Sequence, residues 1–125
     1  MTNIILIMHR KAIVQGLMDR LRDSPDVRLI DELDYQNANK AIRRYGAKGA
    51  LIEAAESGQY GMIYCLTLCK QLRKQTPECK LLLMCPEQDE QSVKLVVDAK
   101  WEKQIDDFVF YDVTLDYLAS KLISI

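Results

Sequence analysis

"NIILIMHRKAIVQGL", residues 3–17, decides how the chain is read. Asn3 to Met8 is an apolar run of strand length, and it stops abruptly in His9, Arg10 and Lys11. A continuous apolar run of this length suits a strand buried on both faces, as in a parallel sheet. Directly after the bases, Ile13, Leu17 and Leu21 recur at four-residue steps with Val14 and Met18 beside them. That is the period of an amphipathic helix, and Ser24-Pro25 ends it. The opening is therefore strand, basic turn, helix.

The same alternation continues outward. "VRLIDEL" (27–33) is an aliphatic strand with interleaved charge, as an edge strand has. "NANKAIRRYG" (37–46) is a short helix that Asn37 can cap and Gly46 can end. "GALIE" (49–53) is the third strand, and "AAESGQYG" (54–61) is a turn region punctuated by Gly58 and Gly61. "MIYCLTLCKQLRKQ" (62–75) is a helix with Met62, Leu66 and Cys69 inward and a basic end that suits its macrodipole. "KLLLMC" (80–85) is a strand closed by Pro86, and "DEQSVKLVVDAKWEKQ" (89–104) a helix with acids at its start. "DDFVFY" (106–111) is the fifth strand. "TLDYLASKLISI" (114–125) is a last helix, with Thr114 as cap and Leu115, Leu118 and Leu122 on one face. Five strand–helix units predict an α/β, flavodoxin-like three-layer sandwich with parallel strand order 2-1-3-4-5. Ligands in such sheets sit beyond the carboxyl ends of the strands. The residues placed there are His9, Arg10, Lys11, Glu53, Cys85 and Tyr111.

A chain of 125 residues reads as one domain, residues 1–125. A net charge of −1 creates no global field for nucleic acid or membrane, and the bases at Arg43, Arg44, Lys70 and Arg73 read as scattered and offset by acids. No apolar stretch is long enough to span a bilayer and no signal peptide is visible, so a cytoplasmic protein is expected. Cys65, Cys69, Cys79 and Cys85 contain no C-x-x-C pair, and the single histidine is far from them in sequence. They read as reduced, mostly buried thiols in preference to a metal or disulfide set. No phosphate-binding glycine motif occurs, "MHRKAIVQG" is too bulky for a flavin phosphate loop, and no Ser-His-Asp set can be placed on the strand ends. Neither a cofactor nor an enzymatic activity is expected.

Two stretches carry a resemblance. "EAAESGQYG" (53–61) has Glu53 at the end of the third strand and a glycine at Gly61, and "DDFVFYD" (106–112) carries an acidic pair followed by an aromatic. Together with the five-unit pattern over the whole chain, these resemble response-regulator receiver domains of two-component signal transduction. The resemblance implies that Glu53 stands at the phospho-accepting Asp position and Phe108 at the switch aromatic. It also implies that His9 and Arg10 replace the acidic pair after strand one, Cys85 the switch Ser/Thr, and Tyr111 the phosphoryl-binding Lys. Every position that carries the family's chemistry is then substituted, which makes the chain a pseudo-receiver.

The substitutions belong together. A receiver pocket joins three carboxylates through Mg²⁺. Bases in place of two acids remove oxygen ligands and add repulsion; a unit charge pair at about 4 Å and an effective dielectric near 20 is worth roughly 4 kcal/mol, and a divalent ion doubles it. Arg10 or Lys11 can pair with Glu53 directly, and the Tyr at position 111 removes a surplus cation. His9 reads as a surface or polar-network histidine before a catalytic base, Cys85 as a buried strand-end thiol before a reactive one, and Phe108 as core before a switch. The expected role is protein–protein contact or dimerisation through the face of helix four, strand five and helix five. Trp101 and Tyr117 there are either interface anchors or helix-packing residues. Two other readings stay open: the N-terminal regulatory domain of a DNA-binding transcription regulator, and an anion or nucleotide sensor using His9, Arg10 and Lys11 at a helix start.

Overall fold

The computed structural model describes residues 1–87 and 90–125. The elements run β1 (Thr2–Ile7), α1 (Lys11–Leu21), β2 (Val27–Glu32), a 3₁₀ turn (Tyr35–Asn37), α2 (Ala38–Tyr45), β3 (Gly49–Glu53), α3 (Met62–Gln75), β4 (Lys80–Cys85), α4 (Glu90–Trp101), β5 (Asp107–Phe110) and α5 (Leu115–Ile123). All strand pairs are parallel, in the order β2-β1-β3-β4-β5. This is the expected flavodoxin-like order, with the charge-bearing β2 at an edge. Of the acids expected at the start of α4, Glu90 opens the helix, and Asp89 lies outside the described residues. No described helix is long and apolar enough to cross a membrane.

Strand alternation divides the core in two. Ile5, Ile7, Ala50, Ile52, Leu81, Leu83 and Cys85 face α2, α3 and α4 through Ile42, Cys65, Cys69, Leu72 and Val96. Ile4, Leu6, Leu51, Leu82, Met84 and Val109 face α1 and α5 through Val14, Leu17, Leu21, Leu118 and Leu122. β1 and β3 therefore lack polar faces because both of their faces are covered. At Gly16, a Cβ would lie 2.6 Å from Leu115 Cδ1, so α1 and α5 approach closely there. The four cysteines are buried free thiols: Cys65 and Cys69 in α3, Cys79 just before β4 and Cys85 at its end. Burial pushes them up, to about 11 for Cys79 and about 12 for the others.

Asp106 and Asp107 fasten the start of β5. Asp106 accepts from Leu81 N–H at 2.8 Å and from Arg73 at 2.9 Å. Asp107 accepts from Lys100 at 2.9 Å and also from Lys121, so it links α4 to α5. Ile7 stands opposite Ile52 across β1 and β3. The segments that follow these two residues consequently leave the sheet side by side, which is what positions the site.

Two expectations need correction. Asn37 does not cap α2 with its side chain; its amide donates instead to Glu32 at 2.6 Å, and Asp34 caps the preceding 3₁₀ turn by accepting from Gln36 N–H. The extra turn moves the capping role upstream. Of the bases at Arg43, Arg44, Lys70 and Arg73, all on α2 and α3, only Arg73 is offset by an acid among the described residues, pairing with Asp106 at 2.9 Å.

Helix α2 ends at Gly46 in the left-handed conformation (φ 55°), as expected, and the turn after α4 places Lys103 there too (φ 64°). A side chain in that region costs about 1–2 kcal/mol. Gly46→Ala is therefore expected to destabilise the fold by about 1 kcal/mol and Lys103→Gly to leave it unchanged or stabilise it. Urea denaturation checks both; an increase for Gly46→Ala contradicts the assignment.

Candidate functional site

The apolar run of β1 ends with Met8 fully buried, and the chain then turns outward. Arg10 stays extended (φ −79°, ψ 90°) and precedes α1, its carbonyl accepting from Ile13 and Val14 N–H at 3.1 Å. Because it is not yet helical, its side chain swings back over the sheet end toward β3. There Glu53, the last residue of β3, is 5% exposed. Its Oε2 accepts from Arg10 Nε at 2.7 Å and its Oε1 accepts from the His9 backbone N–H at 3.0 Å. Bonds of this kind replace the water that a buried carboxylate loses.

The other side of Arg10 meets Tyr111. The guanidinium carbon lies 3.8 Å from the ring centroid, a cation–π contact. The Tyr111 hydroxyl donates to the carbonyl of Ala54, the residue after Glu53. The ends of β1, β3 and β5 are thus joined through one arginine. Of the two bases expected to compete for Glu53, Arg10 takes it. Lys11 is exposed and lines a separate cleft of about 220 Å³ with Met8, His9, Gln15, Asp31 and Leu33.

Sequence reasoning missed the second half of the site, an aromatic cluster beneath the pair. Tyr35 is buried and its hydroxyl donates to the Glu53 carbonyl at 2.6 Å. Tyr60 stacks on Tyr35 with centroids 4.2 Å apart, and Tyr64 meets Tyr60 edge-on at 5.0 Å. His9 packs edge-on against Tyr35 and Tyr60 at 5.2 and 5.6 Å, and its Nε2 lies 2.8 Å from the Leu33 carbonyl. His9 therefore sits in a polar and aromatic network. The available signal was that Tyr35 follows β2 and Tyr60 precedes α3, both at the same end of the sheet as His9.

The remaining predicted residues lie apart from the pair. Cys85 is fully buried and its thiol lies 3.7 Å from the Val109 carbonyl. Phe108 is half-buried and packs edge-on against Phe110. Trp101 is 87% exposed and Tyr117 49% exposed, so Trp101 is no packing residue of α4. Val97, one turn before Trp101 on α4, is exposed as well.

The donor set does not fit the Mg²⁺ that the receiver resemblance implies. Both oxygens of Glu53 are engaged by N–H donors, one of them a guanidinium. Among the described residues, no group of three His, Cys, Asp or Glu side chains could hold a metal ion.

Burial, followed by the nearby Glu53 charge, pushes the Tyr111 hydroxyl up to about 12, against the opposing pull of Arg10; Tyr35 moves the same way, chiefly through burial. The unfolded phenol titrates near pH 10. A group with a higher pKa in the folded state contributes its full stability below pH 10 and loses it as pH rises through about 12. Stability is therefore expected to fall between pH 10 and 12, with a smaller fall in Tyr111→Phe. Phenolate absorbance alongside circular dichroism tests this; tyrosines that all ionise together near pH 10 with the fold intact contradict it.

No protein-family model matches the chain, and no curated protein matches it by sequence. Solved structures do match in three dimensions. One is a DNA-binding response regulator of the LuxR family from Staphylococcus aureus, 14% identical over 99% of this chain and 98% of that one, with a TM-score of 0.76. Another is a two-component response regulator from Clostridium difficile, 22% identical over 99% and 94% of the two chains, with a TM-score of 0.76. A CheY-like protein, TadZ, from Pseudomonas aeruginosa is 15% identical over 97% and 96%, with a TM-score of 0.71. The chain has the flavodoxin-like fold found in response-regulator receiver domains.

Proposed function

We propose that this chain is a receiver-type signalling domain that works by protein–protein contact, without metal-dependent phosphorylation. The observation that carries the reading is the position of Arg10. It holds Glu53 at 2.7 Å on one side and lies against Tyr111 on the other. A phosphotransfer pocket needs a free carboxylate beside a divalent cation. Here a tethered cation occupies that electrostatic role permanently.

The consequence for metal is energetic. Mg²⁺ approaching Glu53 has to displace Arg10 and then remain near it. At about 4 Å and an effective dielectric near 20, the repulsion between a divalent ion and the displaced guanidinium is on the order of 8 kcal/mol. Glu53 has a longer side chain than the family's Asp and is already neutralised, so nothing drives the exchange.

Output then falls to the surface. Among the described residues, Trp101 and Val97 on α4 and Tyr117 and Ile123 on α5 are large and exposed. The Lys100–Asp107–Lys121 ion cluster links the two helices. Such aromatic residues beside fixed charges suit a protein partner or a second copy of the chain. An anion sensor in the strand-end crevice is less favoured, because the strongest base there is already committed to Glu53.

The test is a titration with Mg²⁺ and beryllofluoride followed by amide chemical shifts. Shifts at Glu53, Ala54 and Tyr111 are expected to stay flat up to about 20 mM Mg²⁺, a concentration that saturates ordinary oxygen-ligand sites. A saturable response at these three residues overturns the reading.

A further inference from the structure

At the end of the sheet opposite Glu53, a cleft of about 540 Å³ opens between helix α5 and the starts of β4 and β5. Tyr117, Ser120, Lys121 and Ser124 stand at i, i+3, i+4 and i+7, so they share one face of α5, and all four line the cleft. Leu118 and Leu122 carry another face of the helix into the core. Two of the four wall residues are serines, and their short side chains leave the volume unfilled. Leu82 and Ile125 add apolar surface, and the lining as a whole is mostly apolar. Ile125 is itself seated on Gly49, where a Cβ would lie 2.7 Å from its Cδ1, so packing against β3 holds this wall in place.

The charges that edge the cleft are unequally committed. Asp107 accepts from Lys100 and from the Phe108 N–H, both at 2.9 Å, and also from Lys121. Asp106 accepts from the Leu81 N–H at 2.8 Å and from Arg73 at 2.9 Å. Lys80, which lines the cleft, comes no nearer to Asp106 than 3.9 Å, beyond hydrogen-bond distance, and its side chain is 61% exposed. Arg73, Lys80, Lys100 and Lys121 thus surround Asp106 and Asp107, which leaves positive charge in excess. Of these bases, Lys80 is the one whose side chain makes no hydrogen bond among the described residues.

We propose that this cleft binds a small amphipathic carboxylate, its apolar body against Leu82, Ile125 and the Tyr117 ring and its head group at Lys80. Small-molecule sites enclose about 300–1,000 Å³ and combine a mostly apolar lining with a few placed polar groups. The cleft has that size and that composition. The charge pattern selects the head group. A cationic head would meet carboxylates already covered by donors and would add to the positive excess, whereas a carboxylate pairs with the uncommitted ammonium of Lys80. The apolar lining selects the body, since a bare inorganic anion would leave that surface wet. The cleft lies at the other end of the sheet from the Arg10–Glu53 pair, so the inference does not rest on how that pair is read.

The experiment is a titration of the full chain with sodium decanoate, below its micelle concentration, followed by amide chemical shifts. Saturable shifts are expected at Leu82, Ser120 and Ser124. Decanol and decyltrimethylammonium, which keep the alkyl chain and change the head, are expected to bind about tenfold more weakly or worse. Lys80→Glu is expected to weaken decanoate by about tenfold and to leave decanol unchanged, because it alters only the head-group end. Ser120→Phe, which fills the cleft, weakens both, and Lys94→Glu, at an exposed site on α4, weakens neither. Thermal melts verify that the variants are folded, and the comparison of head groups on the unaltered chain needs no variant. The proposal is overturned by an absence of saturable shifts, by equal binding of the three ligands, or by equal losses in Lys80→Glu and Lys94→Glu. It is also overturned if the same amides shift with protein concentration in the absence of ligand, which would show that a second copy of the chain covers the cleft.

Discussion

A carboxylate at the end of a central strand is the constraint on which this structure turns. Glu53 is almost wholly buried, and a carboxylate removed from water in this way needs hydrogen-bond donors. Two are supplied from the end of β1, the Arg10 guanidinium and the His9 backbone N–H. Removing either leaves a charge in a site of low polarisability, which costs far more than an ion pair at the surface gains. The turn between β1 and α1, the end of β3 and the start of the β5–α5 connection are therefore interdependent.

The supports around the pair extend that dependence. Tyr35 holds the carbonyl of Glu53, and Tyr111 holds the carbonyl of Ala54 while its ring faces Arg10. A tyrosine serves in both places because each needs a large apolar surface and a single donor. The crevice at these strand ends is occupied by the Arg10 guanidinium and the rings of Tyr111, Tyr35 and Tyr60.

Much of the fold was legible, for identifiable reasons. β3, α3 and β4 begin and end where the sequence predicts, since Gly49, Gly61, Pro77 and Pro86 mark changes of period. The cap of α2 was not legible, because the 3₁₀ turn at Tyr35–Asn37 has no apolar period of its own and Asn37 found a partner in Glu32. Within the site, the convergence of His9, Arg10, Glu53 and Tyr111 followed from strand order. The choice of Arg10 over Lys11 did not, as it depends on which of two adjacent residues is still extended when the helix begins. The tyrosine cluster escaped for another reason: it is assembled from segments far apart in sequence, and only the packing of loops brings them together.

The central claim is that Arg10 and Glu53 act as one unit, and a double-mutant cycle measures this most directly. Urea denaturation of the unaltered chain, Arg10→Met, Glu53→Gln and the double variant yields their coupling energy. The account predicts a favourable coupling of about 1–3 kcal/mol, as for residues sharing a partly buried charge-assisted bond. Additive effects, with a coupling below about 0.3 kcal/mol, would show that the two residues are merely neighbours.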